Sequence, residues 1–178
     1  MEEGNMDRKA ILVIDMLNDF VDPQGALYCG ERARAIIPAV RQWVDAFSER
    51  GDAVIYLQDA HLPDDREFDL FPPHAVKGTW GSRIIPEMEP PAGAVTIEKM
   101  RYSGFYGTRL EEVLARFGPG EVWVTGVCTS ICVMDTVGGL RNRDYPVVVP
   151  RGGVADFDPE FHDFSLRRME RIYGATLA

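Results

Sequence analysis

The sequence predicts a single-domain α/β fold: a doubly wound, mostly parallel sheet in a Rossmann-like three-layer arrangement with helices on both faces. Three observations support this. Residues 9–15 (KAILVID), 52–58 (DAVIYLQ) and 145–150 (YPVVVP) are continuous apolar runs rather than alternating ones, which suits strands covered on both faces. Between the strands lie stretches with apolar residues at helical spacing, and strands alternating with helices give right-handed crossovers and a parallel sheet. A chain of 178 residues that is 46% apolar is enough for one full core.

Residues 9–15 form the first strand and end in Asp15, at the strand end where open α/β sheets place ligands. A cap for the NDF and DPQG turns that follow is its plainer role. Residues 17–30 read as loop, with Phe20 either packed in the core or facing a pocket. Residues 31–50 read as one helix, with Ala33, Ile36, Ile37, Val40, Val44 and Phe47 on one face and Gly51 as its stop. The second strand is 52–58. Residues 59–93 break the rhythm: they are rich in proline, with a short helical hint near Ile84, and loops this long in a compact domain are usually functional. They hold two of the three histidines. Asp59 and His61 stand two apart at a strand end, so an extended backbone puts both on one face. His74 follows the stiff Phe71-Pro72-Pro73 segment. One carboxylate and two imidazoles suit a first-row metal with open positions, and Glu67 is a candidate fourth ligand. Two loop histidines beside a solvated acid satisfy the same spacing.

Residues 94–99 form the third strand and end in Lys99, either a snorkelling surface lysine or a site cation. Residues 101–107 are a glycine-hinged loop, and 108–117 an amphipathic helix with Leu110, Val113 and Leu114 inward, ended by Gly118-Pro119-Gly120. The stretch EVWVTGVCTSICVMDT, residues 121–136, starts as a strand, turns at Gly126 and enters a helix with Cys132 in its first turn, after Thr129 and Ser130, both able to cap. A thiol there feels unpaired N–H groups and the positive end of the helix dipole, which favour thiolate. A small buried cysteine packing helix on sheet is the alternative. Residues 145–150 form a fifth strand and 158–173 a last helix, whose His162 reads as a surface residue beside Asp163. Residues 175–177 suit a short sixth strand.

A net charge of −9, with no Lys/Arg cluster, argues against nucleic acid and anionic membranes as partners. Residues 1–8 read as a polar tail without the apolar run of a signal peptide, and no later run spans a bilayer. A cytoplasmic location is the expectation, and three cysteines without a paired framework fit a reducing compartment. Cys29 reads as structural or near the rim of a site. The absence of G-x-G-x-x-G after the first strand argues against a dinucleotide.

Asp15, Lys99 and Cys132 each stand at or just after the carboxyl end of a strand, and in a parallel sheet those ends share one rim. Together they make a coherent set: a carboxylate to take a proton, an ammonium to favour anions and a thiol to attack a carbonyl. In this order, and in the segments VIDMLNDF, QDAHL, LFPPHAVKGTWG, EKMRYSGFYGT and GVCTSICVMDT, the sequence resembles the isochorismatase-like cysteine hydrolases, and in detail their nicotinamidase/pyrazinamidase branch. The resemblance spans almost the whole chain and implies one isochorismatase-like domain over 1–178, with 59–93 as its metal-site loop. It implies a catalytic triad of Asp15, Lys99 and Cys132. It implies a divalent metal, zinc first with manganese or iron as alternatives, on Asp59, His61 and His74 and, as in some members, Glu67. It further implies a cis peptide before Cys128, an oxyanion hole from the N–H groups of Cys128 and Cys132, a pyridine ring held between Phe20 and Phe71, and a homo-oligomer. The implied reaction is hydrolysis of nicotinamide to nicotinate and ammonia through a thioester, serving NAD salvage. Relatives often carry Asp where this chain has Ser130, a difference that bears on the rim of the site. Other readings stay open: hydrolysis of another small amide (pyrazinamide, an N-carbamoyl or a ureido compound), a non-catalytic ligand-binding module, or a non-haem iron oxygenase, although no β-barrel pattern accompanies the two histidines and carboxylate.

Overall fold

The computed structural model describes residues 8–178; the expected polar tail, apart from Arg8, lies outside the described residues. Seven strands form one sheet: β1 (Lys9–Ile14), β2 (Ala53–Asp59), β3 (Val95–Lys99), β4 (Glu121–Val127), β5 (Val147–Val149), β6 (Val154–Ala155) and β7 (Thr176–Leu177). Their order is β3-β2-β1-β4-β5-β7, with β6 paired to the end of β4, and the ladders are all parallel. The helices are α1 (Asn18–Val21), α2 (Glu31–Ala35), α3 (Ile37–Glu49), α4 (Leu110–Phe117), α5 (Met134–Arg141) and α6 (Pro159–Arg171). None is long and apolar enough to cross a membrane.

The continuous apolar runs are explained by burial on both faces. Along β1, Ala10, Leu12 and Ile14 point into a core shared with Leu110 and Leu114 of α4, Val137 of α5 and Leu166 of α6. Ile11 and Val13 point the other way, into a core with Val40, Val44 and Phe47 of α3. Each such side chain, fully buried, contributes about 1.5–3 kcal/mol of transfer free energy. Register aligns the carboxyl ends: Ile14 lies opposite Leu57 on one side and Gly126 on the other, and Asp59 lies opposite Lys99. Gly126 is required at this crowded end. Its φ is +109°, and a Cβ there would fall 2.0 Å from the carbonyl oxygen of Ile14.

Several elements differ from the sequence expectation. The helix expected over 31–50 is broken into α2 and α3 at Ile36, because Pro38 in the first turn of α3 lacks an N–H and its ring clashes with the turn before it. Residues 17–30 include α1, a single turn. The helix expected from Thr108 starts at Leu110, whose N–H donates to Thr108 Oγ1 at 3.1 Å. The loop over 59–93 holds 3₁₀ turns at Arg66–Asp69 and Pro86–Met88. The fifth strand is shorter than expected. The small β6 was not anticipated, while the expected last strand is present as β7.

Candidate active site

The parallel register brings the four strand ends β1 to β4 to one rim, and four ionisable groups meet there. Lys99, from the last position of β3, is 2% exposed. Its Nζ lies 2.8 Å from Asp15 Oδ2, donates to Asp59 Oδ1 at 2.6 Å and reaches Cys132 Sγ at 3.4 Å. Asp15 leaves β1 in the left-handed region at φ 52°, a conformation a non-glycine residue adopts only where its surroundings enforce it. Its Oδ1 accepts from the backbone N–H of Asp59 at 3.0 Å, which holds the turn and the carboxylate together. The Cys132 sulfur and carboxylate oxygens of Asp15 and Asp59 lie within 4.8 Å of one another.

Burial dominates the electrostatics. It pushes the Asp15 carboxyl up to about 6, helped by the neighbouring Asp59 and opposed by Lys99. Burial also raises Asp59, but Lys99 and His61 outweigh it and hold that carboxyl below its usual range. The expectation that Cys132 would be biased to thiolate is reversed. Burial pushes its thiol well up, and Lys99 offsets this only in part. Cys132 sits in a π-helical turn, Thr129–Val133, ahead of α5, and its N-cap residue Cys128 makes no side-chain cap bond. In place of the expected caps, the buried Asp156 accepts from the Ser130 N–H at 2.7 Å, and Thr129 Oγ1 lies 2.9 Å from His162 Nδ1. His162 is therefore half-buried and tied to the turn that carries Cys132, not a free surface residue. The Val127–Cys128 peptide is cis.

Beside this group lies a second. Ligand atoms of Asp59, His61 and His74 fall within 4.8 Å of one another, and all three residues are buried. Each imidazole is oriented through Nδ1: His61 to Asp65 Oδ2 at 3.0 Å, and His74 to the Pro72 carbonyl at 2.8 Å. That leaves Nε2 of both rings facing inward, and His61 Nε2 is buried with no hydrogen-bond partner among the described residues. An orphaned, oriented imidazole nitrogen beside a carboxylate is what a metal ligand requires. Glu67 Oε1 stands 3.7 Å from His74 Nε2 but outside the group of three. Asp65 is held below the usual carboxylate range: burial raises it, but the Glu67 N–H, His61 and Arg101 together outweigh that.

Asp59 belongs to both groups, with Oδ1 on Lys99 and Oδ2 3.6 Å from His61 Nε2. Above them opens a cavity of about 370 Å³ whose wall includes Phe20, Phe71, Cys128 and Cys132, as expected, together with Tyr102 and Phe157. Sequence reasoning missed these last two aromatics, which sit on loops with no periodic signal. It also missed Asp65, Asp156 and Asp19. Asp19 is buried and accepts from the Ala26 N–H at 3.0 Å and from the Ala75 N–H, next to His74, at 2.7 Å.

A family model described as the isochorismatase domain matches residues 9–178. The chain belongs to the isochorismatase family. A Bacillus subtilis relative named as an uncharacterized isochorismatase family protein, PncA, is 38% identical over 183 residues, covering 96% of this chain and 99% of that protein. A crystal structure described as nicotinamidase PncA from Bacillus subtilis matches with a TM-score of 0.91 at 37% identity, covering 96% of this chain and 99% of that one. The pyrazinamidase of Pyrococcus horikoshii in complex with zinc matches with a TM-score of 0.90 at 30% identity, covering 96% and 98%. N-carbamoylsarcosine amidase from Thermoplasma acidophilum matches with a TM-score of 0.86 at 36% identity, covering 96% and 95%. The protein is thus an isochorismatase-family hydrolase, in a family whose members act on several amides.

In this hydrolase the placement of His74 depends on close packing at Gly81. A Cβ at Gly81 would fall 1.9 Å from Asp19 Oδ2, the atom that holds the backbone beside His74. Gly81→Ala is expected to cost about 1–3 kcal/mol through overpacking and to weaken metal binding. Thermal unfolding and an equilibrium zinc titration check the two effects, and unchanged zinc affinity would disconnect Asp19 from the Asp59, His61 and His74 group.

Proposed function

We propose that the protein is a nicotinamidase, converting nicotinamide to nicotinate and ammonia through a Cys132 thioester with the help of a divalent metal, in NAD salvage. The observation that carries this reading is the sharing of Asp59 between the Lys99 group and the two imidazoles. Cys132, Asp59 and His74 line one small aromatic-walled cavity, with Asp15 and Lys99 buried behind them. A cavity of about 370 Å³ lies at the small end of the range for ligand pockets, and Phe20 and Phe71 offer faces to a planar ring. Asp59, His61 and His74, with Glu67 adjacent, would hold the metal; this nitrogen and oxygen set suits zinc and also manganese or iron. When bound, the metal supplies a Lewis-acidic anchor for the ring nitrogen.

The chain's own residues carry the chemistry. Cys132 rests as a thiol, so its proton must leave as it attacks, and Asp15, with its carboxyl near 6, is matched to take it at neutral pH. Lys99 offsets the negative charge on both partners throughout. The sulfur bonds to the carboxamide carbon, and the resulting oxyanion is received by the N–H groups of Cys128 and Cys132. The Cys128 N–H has no protein acceptor among the described residues. Asp15 returns the proton to the departing ammonia as the C–N bond breaks, then draws one from the water that attacks the thioester carbon; the C–S bond breaks, nicotinate leaves and that proton returns to the Cys132 sulfur.

Ammonia release from nicotinamide, measured for the metal-loaded protein, after chelation, and after readdition of zinc or manganese, tests the proposal. Turnover that falls on chelation and returns with metal is expected. A loaded protein that leaves nicotinamide intact while hydrolysing pyrazinamide or an N-carbamoyl amide would replace the substrate and keep the chemistry. Oxygen uptake without ammonia would remove the hydrolytic reading.

A further inference from the structure

Cys29 and Cys128 have no part in the chemistry as sulfur atoms, yet their Sγ atoms lie 3.1 Å apart across 99 residues of sequence. Both side chains are buried among the described residues, at 4% and 9% exposure, and both line the cavity. Cys29 sits in the loop after α1, where its N–H donates to the Phe20 carbonyl at 2.8 Å and its thiol leans on the Leu27 carbonyl at 3.5 Å. Cys128 sits at the turn between β4 and the nucleophile. The pair therefore joins the wall that bears Phe20 to the backbone that bears Cys132.

We infer that Cys29 and Cys128 form an oxidisable dithiol, a modification site that peroxide closes to a disulfide and that arrests hydrolysis when closed. In the first step the Cys29 thiol attacks a peroxide oxygen; the O–O bond breaks, Cys29 becomes a sulfenic acid and one water leaves. In the second step the Cys128 sulfur attacks the Cys29 sulfur; the S–O bond breaks, and hydroxide takes the Cys128 proton and leaves as water. Two thiols are oxidised by two electrons, and one peroxide is reduced to two waters. A small oxidant reaches the pair through the cavity. The second step needs no large movement, since the sulfurs close by only about 1 Å to the disulfide length of about 2.05 Å. That closure pulls on the backbone whose N–H receives the oxyanion, and losing one such donor lowers turnover by about 10²–10³-fold. The arrest rests on the oxyanion assignment made above, whereas formation of the bond does not.

The experiment treats metal-loaded protein with hydrogen peroxide and follows intact mass, peptide mapping and ammonia release. The Cys132→Ala variant, which has no competing nucleophile, is expected to lose two hydrogens in mass and to give a linked Cys29–Cys128 peptide whatever the substrate proves to be. The parent protein is expected to lose activity in a fraction that dithiothreitol restores. Cys29→Ser and Cys29→Ala, each compared with its own untreated activity, are expected to lack that recoverable fraction. Two alkylatable thiols in denatured, peroxide-treated Cys132→Ala would overturn the dithiol. A complete Cys29–Cys128 link with undiminished hydrolysis would overturn the arrest.

Discussion

Cys132→Ala is expected to abolish amide hydrolysis, by about 10⁴–10⁶-fold as for loss of other catalytic nucleophiles, while metal content stays unchanged. The separation follows from the geometry. The thiol touches Lys99 and faces Asp15, whereas Asp59, His61 and His74 meet on the far side of Asp59. Removing the sulfur leaves that group and its orienting partners, Asp65 and the Pro72 carbonyl, in place. The stability change should stay near the ordinary value of about 1 kcal/mol for a point substitution, because the buried ammonium of Lys99 loses only its sulfur contact and keeps both carboxylates. Steady-state ammonia release, metal analysis and thermal unfolding on one preparation check all three statements. Retained turnover would reject the covalent route.

Lys99→Met is expected to have the largest effect on stability. The ammonium is the charge partner of Asp15 at 2.8 Å and Asp59 at 2.6 Å, and its loss leaves two buried carboxylates facing each other. Breaking a buried pair by removing one partner typically costs about 3–5 kcal/mol, which for a chain of this length lowers Tm by about 6–20 °C. The pH dependence has a definite sign. Without Lys99 the burial that raises Asp15 is unopposed and Asp59 keeps only His61 against it, so both folded pKa values move up and each carboxyl is less costly when protonated. The deficit relative to the parent should therefore be smaller at pH 5 than at pH 8 in metal-free protein, widening as pH rises through the raised values. Turnover should vanish, but zinc should still bind, since Asp59 keeps its place and loses a competing cation. A deficit independent of pH would mean that Lys99 contributes packing rather than charge.

The strand runs and the rim were legible because they rest on local signals: uninterrupted apolar residues, and an ionisable side chain at the end of each. Asp15, Lys99 and Cys132 could be brought together from topology alone, since a parallel sheet leaves their strand ends nowhere else to go. The Asp59, His61 and His74 set was legible in residue type, but its inward Nε2 atoms depend on Asp65 and Pro72, which carry no signal until the loop is folded. The helix break at Pro38 was readable in principle, but the apolar face runs through it without losing phase. His162 looked like a surface residue because its neighbours on α6 are charged; its partner, Thr129, lies 33 positions away. The protonation bias of Cys132 was misjudged for the same reason. A helix start is visible in sequence, whereas the depth to which it is buried is not.

The double attachment of Asp59 means that the ammonium and any cation held by the two imidazoles would draw on one carboxylate, each through its own oxygen. A relative that replaced Asp59 would give up this place for a cation and at the same stroke strip Lys99 of half its counter-charge. Loss of the cation site can therefore be tolerated most readily at the two histidines, and the aspartate should be the last of the three to change.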